Sequence, residues 1–220
     1  MNKKILSIFL AVIMLFTAVS PAYAQTSAAD WNSYLETADG KAGIIMFPGA
    51  DDSQRNFSWY SDAESVPEIA LSENSDMSGA KLFSGYSVET YSGNYSNKVT
   101  VSGLEAGKTY YYQCKSGSFV SSVYSFATGS DDTFTAVYMT DIHVSYDDKN
   151  PEHIKETAYN FDFTLNKALE KNDDISLILS AGDQGSEGLQ SEYISLSASP
   201  VVKSIPMATT VGNHDRKGVD

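Results

Sequence analysis

The chain has 220 residues, a formal net charge of −13 and a single cysteine, a length that accommodates one large domain or two small ones at about 100–200 residues each. Its 42% hydrophobic and 12% aromatic residues can build a packed core, which excludes wholesale disorder. The acidity excludes phosphate-backbone binding as the main activity, so no nucleic-acid partner is expected; the lone cysteine excludes a disulfide framework or a multi-thiolate zinc site, and three histidines leave few imidazoles for a metal.

Residues 1–24 read as a cleavable signal peptide. Lys3 and Lys4 form a basic start, Ile5 to Val19 a mostly apolar stretch, and Pro21-Ala22-Tyr23-Ala24 a small-x-small cleavage signal before Gln25. The apolar run falls short of the roughly 20 residues a bilayer needs, so no stable membrane anchor is expected. The mature product is expected to be secreted, extracellular or periplasmic. Residues 25–37 read as a linker.

Residues 38–129 alternate short strands with Gly, Ser, Asn and Asp. The expected strands are 43–47, 57–61, 68–72, 81–86, 98–102, 108–115 and 121–127, a spacing typical of an antiparallel, all-β sandwich. Leu104-Glu105-Ala106-Gly107-Lys108-Thr109-Tyr110 reads as a tyrosine corner, in which the hydroxyl bonds upstream backbone. The strand period of two then turns Tyr110, Tyr112 and Cys114 to one face, with Cys114 a small core residue. Trp59, Tyr60, Tyr86, Tyr91, Tyr95 and Tyr111 could line a carbohydrate-stacking surface, although aromatics in sheets more often pack.

Residues 130–220 have a different texture. Thr133 to Thr140 reads as a strand covered on both faces, Glu152 to Lys171 as a helix with Asn150 as N-cap and an apolar stripe of Ile154, Ala158, Phe161, Leu165 and Leu169. Ile175 to Ser180 is a second strand, Leu189 to Ala198 a helix and Ile205 to Val211 a third strand. This order predicts the parallel βαβαβ sheet of an α/β domain.

Polar residues close each expected strand: Asp141-Ile142-His143, Gly182-Asp183-Gln184 and Gly212-Asn213-His214-Asp215. Open α/β sheets bind ligands beyond the carboxyl ends of their strands. Alternate residues of an extended segment share a face, so Asp141 and His143 can close on one cation. Gly182 and Gly212 allow close backbone approach. Carboxylate, amide and imidazole donors without thiolate suit Mn, Zn or Fe. Each motif alone is an ordinary capped strand end; three in succession are hard to explain that way.

Asp-x-His, Gly-Asp and Gly-Asn-His-Asp in this order resemble the calcineurin-like metallophosphoesterase superfamily. Phe57-Ser58-Trp59-Tyr60, Lys98 to Leu104, Thr109-Tyr110-Tyr111-Tyr112 and Tyr124-Ser125-Phe126 are similar to the fibronectin-III-like N-terminal domain of purple acid phosphatases. The resemblance implies that Asp141 and His143 bind a first metal ion, that Asp183 bridges two and that Asn213 binds the second. It implies that His214 faces the substrate, stabilising or protonating the leaving oxygen, and that Asp215 orients a neighbouring group. Two divalent or trivalent ions (Fe, Mn or Zn) and a phosphate-ester substrate follow from it.

Two departures from the family are visible. Ser186 stands where purple acid phosphatases place a tyrosine ligand, and the chain ends before the family's Gly-His-x-His element. The remaining histidine, His153, lies in the first turn of a helix, where a surface residue is the simpler reading. The expectation is therefore an exported phosphoester hydrolase seen as the N-terminal part of the catalytic domain, with poor turnover by this chain alone. The alternative is a secreted glycan- or surface-binding protein with a vestigial phosphoesterase half.

Overall fold

The computed structural model describes residues 27–90, 92–130 and 133–219. The expected signal peptide over 1–24 and Tyr91 lie outside the described residues. Helix α1 (Ala28–Leu35) begins at Ser27, whose hydroxyl oxygen accepts from Asp30 N–H, and α2 (Ala38–Ala42) begins at Thr37, whose Oγ1 accepts from Gly40 N–H. Both are ordinary side-chain N-caps. The segment read as a linker over 25–37 thus holds a helix. It is held because Trp31 is buried in a core made by the second half of the chain.

The chain then leaves α2 through a left-handed Gly43 (φ 56°) into the sandwich. Its strands are β1 (Ile45–Pro48), β2 (Gln54–Ser61), β3 (Glu68–Ser72), β4 (Lys81–Ser84), β5 (Tyr86–Glu89), β6 (Tyr95–Ser102), β7 (Thr109–Ser116), β8 (Phe119–Val120) and β9 (Tyr124–Ala127). One sheet runs β1-β2-β6-β5; the other runs β4-β3-β7-β8, with β9 also paired to β7, and every pairing is antiparallel. Alternation turns Phe57 and Trp59 of β2, Val99 and Val101 of β6, and Tyr110, Tyr112 and Cys114 of β7 into a shared core. Trp59 is therefore not a stacking platform; its Nε1–H donates to Ser116 Oγ at 3.0 Å.

Two local features follow the chemistry of single residues. Glu105 N–H donates to the Tyr110 hydroxyl oxygen at 2.8 Å, the tyrosine corner expected from the sequence. The strand expected over 81–86 is split at Gly85, where a Cβ would overlap the Lys98 carbonyl oxygen, so the chain passes from one sheet to the other at a residue without a side chain.

The second half contains β10 (Thr135–Met139), α3 (His153–Lys171), β11 (Ile175–Ser180), α4 (Gln190–Ser197), α5 (Val201–Ser204), β12 (Met207–Thr209) and a 3₁₀ turn (His214–Val219). The strands are parallel in the order β10-β11-β12, with Val137 opposite Ile178 and Ile178 opposite Met207. The stripe of α3 packs with these three side chains, with Leu196 of α4 and with Val201 and Val202 of α5. Helix α3 starts at Glu152 without a side-chain cap, and Asn150 contributes its carbonyl to His153 N–H instead of capping with its amide.

Among the described residues, strand β10 is covered on one face only. Val137 and Met139 pack inward, whereas Tyr138, on the opposite side of the pleat, is 72% exposed and the preceding Phe134 is 67% exposed. A continuous apolar run fixes strand character but not which faces find a partner.

The halves share one strand. Ile44 and Met46 enter the sandwich core, while Ile45 and Phe47 pack into the α/β core. Around this seam the Tyr112 hydroxyl donates to the Lys203 carbonyl at 2.8 Å. The Asp39 carboxylate accepts from Tyr124 Oη–H at 2.7 Å and from Ser122 N–H at 3.0 Å.

Candidate metal centre

The three polar strand ends meet because strand pairing continues past the regular strands. Asp141 N–H donates to the Gly182 carbonyl at 3.1 Å, His143 N–H to Asp183 O at 3.0 Å and Val144 N–H to Gln184 O at 2.9 Å. Ser186 N–H returns to Val144 O at 3.1 Å, and Val144 bridges Gly185 in parallel register. The loop after β10 is thereby laid along the loop after β11. The backbone is not extended here: Asp141 (φ 54°), His143 (φ 50°) and Asp183 (φ 54°) are all left-handed. Asp141 and His143 do approach, with Oδ1 3.8 Å from Nε2, but through two left-handed turns and not through strand alternation.

Close glycine packing brings in the third strand end. A Cβ on Gly182 (φ 111°) would lie 2.8 Å from Gly212 N, and a Cβ on Gly212 would overlap the Asp183 carboxylate. Asp183 Oδ1 accepts from His214 N–H at 2.8 Å, which carries His214 to the same rim. His143, Asp183 and His214 each offer a ligand atom, and these atoms lie within 4.8 Å of one another. Cation–ligand bonds of about 2.0–2.2 Å put two donors up to about 4 Å apart, so a modest closing of side chains suits one ion. The donors are two imidazoles and a carboxylate, the chemistry of Mn, Zn or Fe.

The imidazoles are oriented from behind. His214 Nδ1 lies 2.7 Å from the Ser186 carbonyl oxygen, which can accept but not donate, so Nδ1 carries a proton and the neutral ring keeps its lone pair on Nε2. His143 Nδ1 lies 3.2 Å from Ser186 Oγ. The two rings meet edge-on with centroids 4.6 Å apart. Ser186 thus touches both rings, a contact that the sequence did not reveal. Asp141 is exposed beside them and accepts from the Thr140 hydroxyl at 2.7 Å. Asn213 is exposed in the loop immediately before His214.

Asp215 is occupied differently. Its Oδ2 accepts from Asp183 N–H at 2.8 Å and Gly212 N–H at 2.9 Å. Its Oδ1 accepts from Gln184 N–H at 2.9 Å, Gly185 N–H at 3.1 Å and the Tyr193 hydroxyl at 3.1 Å. Burial acts to raise its pKa, but the donors from Gly212, Gly185, Tyr193 and Asp183 outweigh it and hold the carboxyl below its ordinary value. Burial, with Asp215 next, raises the Tyr193 hydroxyl, which stays protonated and donating. Sequence reasoning missed Tyr193, for which no signal existed. It also missed the fully buried Glu192, visible at most as an acidic residue three positions beyond the helix-capping Leu189. His153, half-buried at the start of α3, has Glu156 3.9 Å away.

The described chain is thus an antiparallel sandwich followed by a parallel α/β sheet, with imidazole and carboxylate donors gathered at successive strand ends. Comparisons with known proteins match the two halves separately. Residues 42–128 match the family described as purple acid phosphatase, N-terminal domain, and residues 134–219 match the family described as calcineurin-like phosphoesterase. No curated protein matches the chain. Among solved structures it is similar to the purple acid phosphatase PPD1 from yellow lupin (Lupinus luteus) seeds, with a TM-score of 0.60 and 13% identity over 78% of this chain and 35% of that one. It is also similar to a structure of PhoD, with a TM-score of 0.50 and 13% identity over 80% of this chain and 39% of the other. The chain therefore spans well under half the length of these two proteins, and the likeness shows a shared fold.

Proposed function

We propose that the protein is an exported, metal-dependent phosphoester hydrolase whose centre includes Asp141, His143, Asp183, Asn213 and His214. The convergence of His143, Asp183 and His214 within 4.8 Å, from three successive strand ends, carries this reading. The two family matches support the reaction class. Asp141, His143 and Asp183 would hold a first ion, and Asp183 with Asn213 a second. When bound, such ions neutralise phosphate charge and lower the pKa of a water molecule toward neutrality.

The chain's own groups have separable tasks. Asp183 presents its carboxylate from a left-handed turn that two glycines keep clear of side chains. His214 has Nδ1–H committed to Ser186, so Nε2 is the nitrogen it can turn toward an ion or a leaving oxygen. Asp215, with five donors on its carboxylate, positions the Asp183 and Gly212 loops and does not touch substrate. Export rests on the sequence features of residues 1–24.

The test is hydrolysis of p-nitrophenyl phosphate and bis-p-nitrophenyl phosphate by the full-length protein, with and without Mn²⁺, Zn²⁺ or Fe. Metal-dependent turnover, reduced at least about a hundredfold by Asp183→Ala, is expected. Metal binding with neither ester cleaved would overturn the proposal.

A further inference from the structure

Glu192 lies in the first turn of α4 with no solvent exposure. Its Oε1 accepts from Tyr146 N–H at 3.0 Å and Glu187 N–H at 3.3 Å. Its Oε2 accepts from Glu187 N–H at 3.0 Å and Leu189 N–H at 3.1 Å. The bond from Leu189 N–H caps the first turn of α4 from its third residue. The others reach beyond the helix, to the loop that follows His143 and the loop that follows Ser186. A carboxylate taken out of water is costly unless such donors surround it. The space has been cleared for it: a Cβ on Gly185 would lie 2.6 Å from Glu192 Oε2.

We infer that Glu192 is a positioning residue for the two imidazoles, an inference that rests on the reading of this site as a metal centre. It fixes Tyr146 against Glu187 and Leu189, and between those anchors lie the Val144–Gly185 bridge and the bond from Ser186 N–H to the Val144 carbonyl. That bond sets Ser186, which meets His143 with its hydroxyl and His214 with its carbonyl. Without the staple the loop carrying His143 is free to lift from the loop carrying Ser186, and the edge-on contact of the rings is lost. Supporting partners behind histidine ligands are typically worth 10–100-fold in metal affinity.

Glu192→Gln keeps the side-chain volume but places an amide NH₂ against N–H donors. In the full 220-residue chain it is expected to weaken Mn²⁺ binding by about tenfold or more. It is also expected, in the metal-free protein, to abolish the nuclear Overhauser contact between the His143 and His214 rings. Asp162→Asn, a change at a buried carboxylate in α3, serves as the control and should alter neither reading. Wild-type affinity and an intact ring contact in Glu192→Gln would overturn the inference, as would an equal loss in Asp162→Asn. If the unsubstituted chain binds no Mn²⁺, the metal reading fails, while the ring contact still decides the role of Glu192. If Glu192→Gln does not fold, amide exchange in the unsubstituted chain decides. Protection of Tyr146, Glu187 and Leu189 comparable to the β11 ladder is expected, and exchange at free-loop rates overturns the staple.

Discussion

Asp141, His143 and Asp183 occupy left-handed backbone, which costs a residue with a Cβ on the order of 1 kcal/mol or more. The bonds from Asp141, His143 and Val144 to the Gly182, Asp183 and Gln184 carbonyls compensate locally, and Asp215 collects the opposing N–H groups. Gly212→Ala places a methyl group on the Asp183 carboxylate. It should lower stability by about 1–3 kcal/mol in urea titration and weaken Mn²⁺ binding in the same preparation. The tyrosine corner offers a test away from the centre. Tyr110→Phe leaves Glu105 N–H without its acceptor and should cost about 1–2 kcal/mol, with Mn²⁺ binding unchanged.

At the scale of elements, the end of α4 and the short α5 are organised around a buried lysine. Lys203 Nζ donates to the carbonyls of Ser197 and Ala198, both at 2.7 Å, and of Ser199 at 3.1 Å, closing the carboxyl end of α4. It also lies over the rings of Tyr34 and Tyr124. Burial pulls its pKa down to about 7, against the opposing pull of Asp162 and Asp39. An unfolded lysine holds its proton up to about pH 10.4, so between about pH 7 and that value the unfolded chain binds more protons than the folded one. Stability therefore rises with pH across this window and is lower at and below pH 7. Chemical denaturation at pH 7 and pH 9 should show the increase, and Lys203→Met should remove the part due to this group. Asp162 shifts the other way from its usual value, raised first by burial, although Ser199 and Asn166 donate to it at 2.6 and 2.9 Å.

For the whole molecule, β1 makes the two halves one structure. Its side chains alternate between the two cores, and α1, which precedes the sandwich, packs Trp31 into the core that follows it. The bond from Tyr112 to the Lys203 carbonyl adds a buried polar link across the seam. The described chain should therefore melt in a single transition by calorimetry. Trp31→Ala should lower stability by about 3–5 kcal/mol. It should also shift the tryptophan fluorescence of Trp59, in the other core, at the same temperature as the helical circular dichroism. Two separate transitions would show that the seam does not couple the cores.

The sequence carried most of the architecture by itself. Periodicity gives the alternating inward residues of β2, β6 and β7 and the stripe of α3, because these depend on local pattern and burial alone. The tyrosine corner and the three polar strand ends were equally legible, since each is a short run of chemically distinctive residues. The sequence did not reveal the helix within 25–37 or the exposed outer face at Tyr138. Each depends on which distant surface packs against that segment. The same holds at the centre. The donors could be named from their order, but their closure came from left-handed turns and from Ser186, Glu192 and Asp215 acting through backbone N–H and C=O groups. Backbone groups are the same in every residue and leave no mark in a sequence, so their convergence was decided by the tertiary structure.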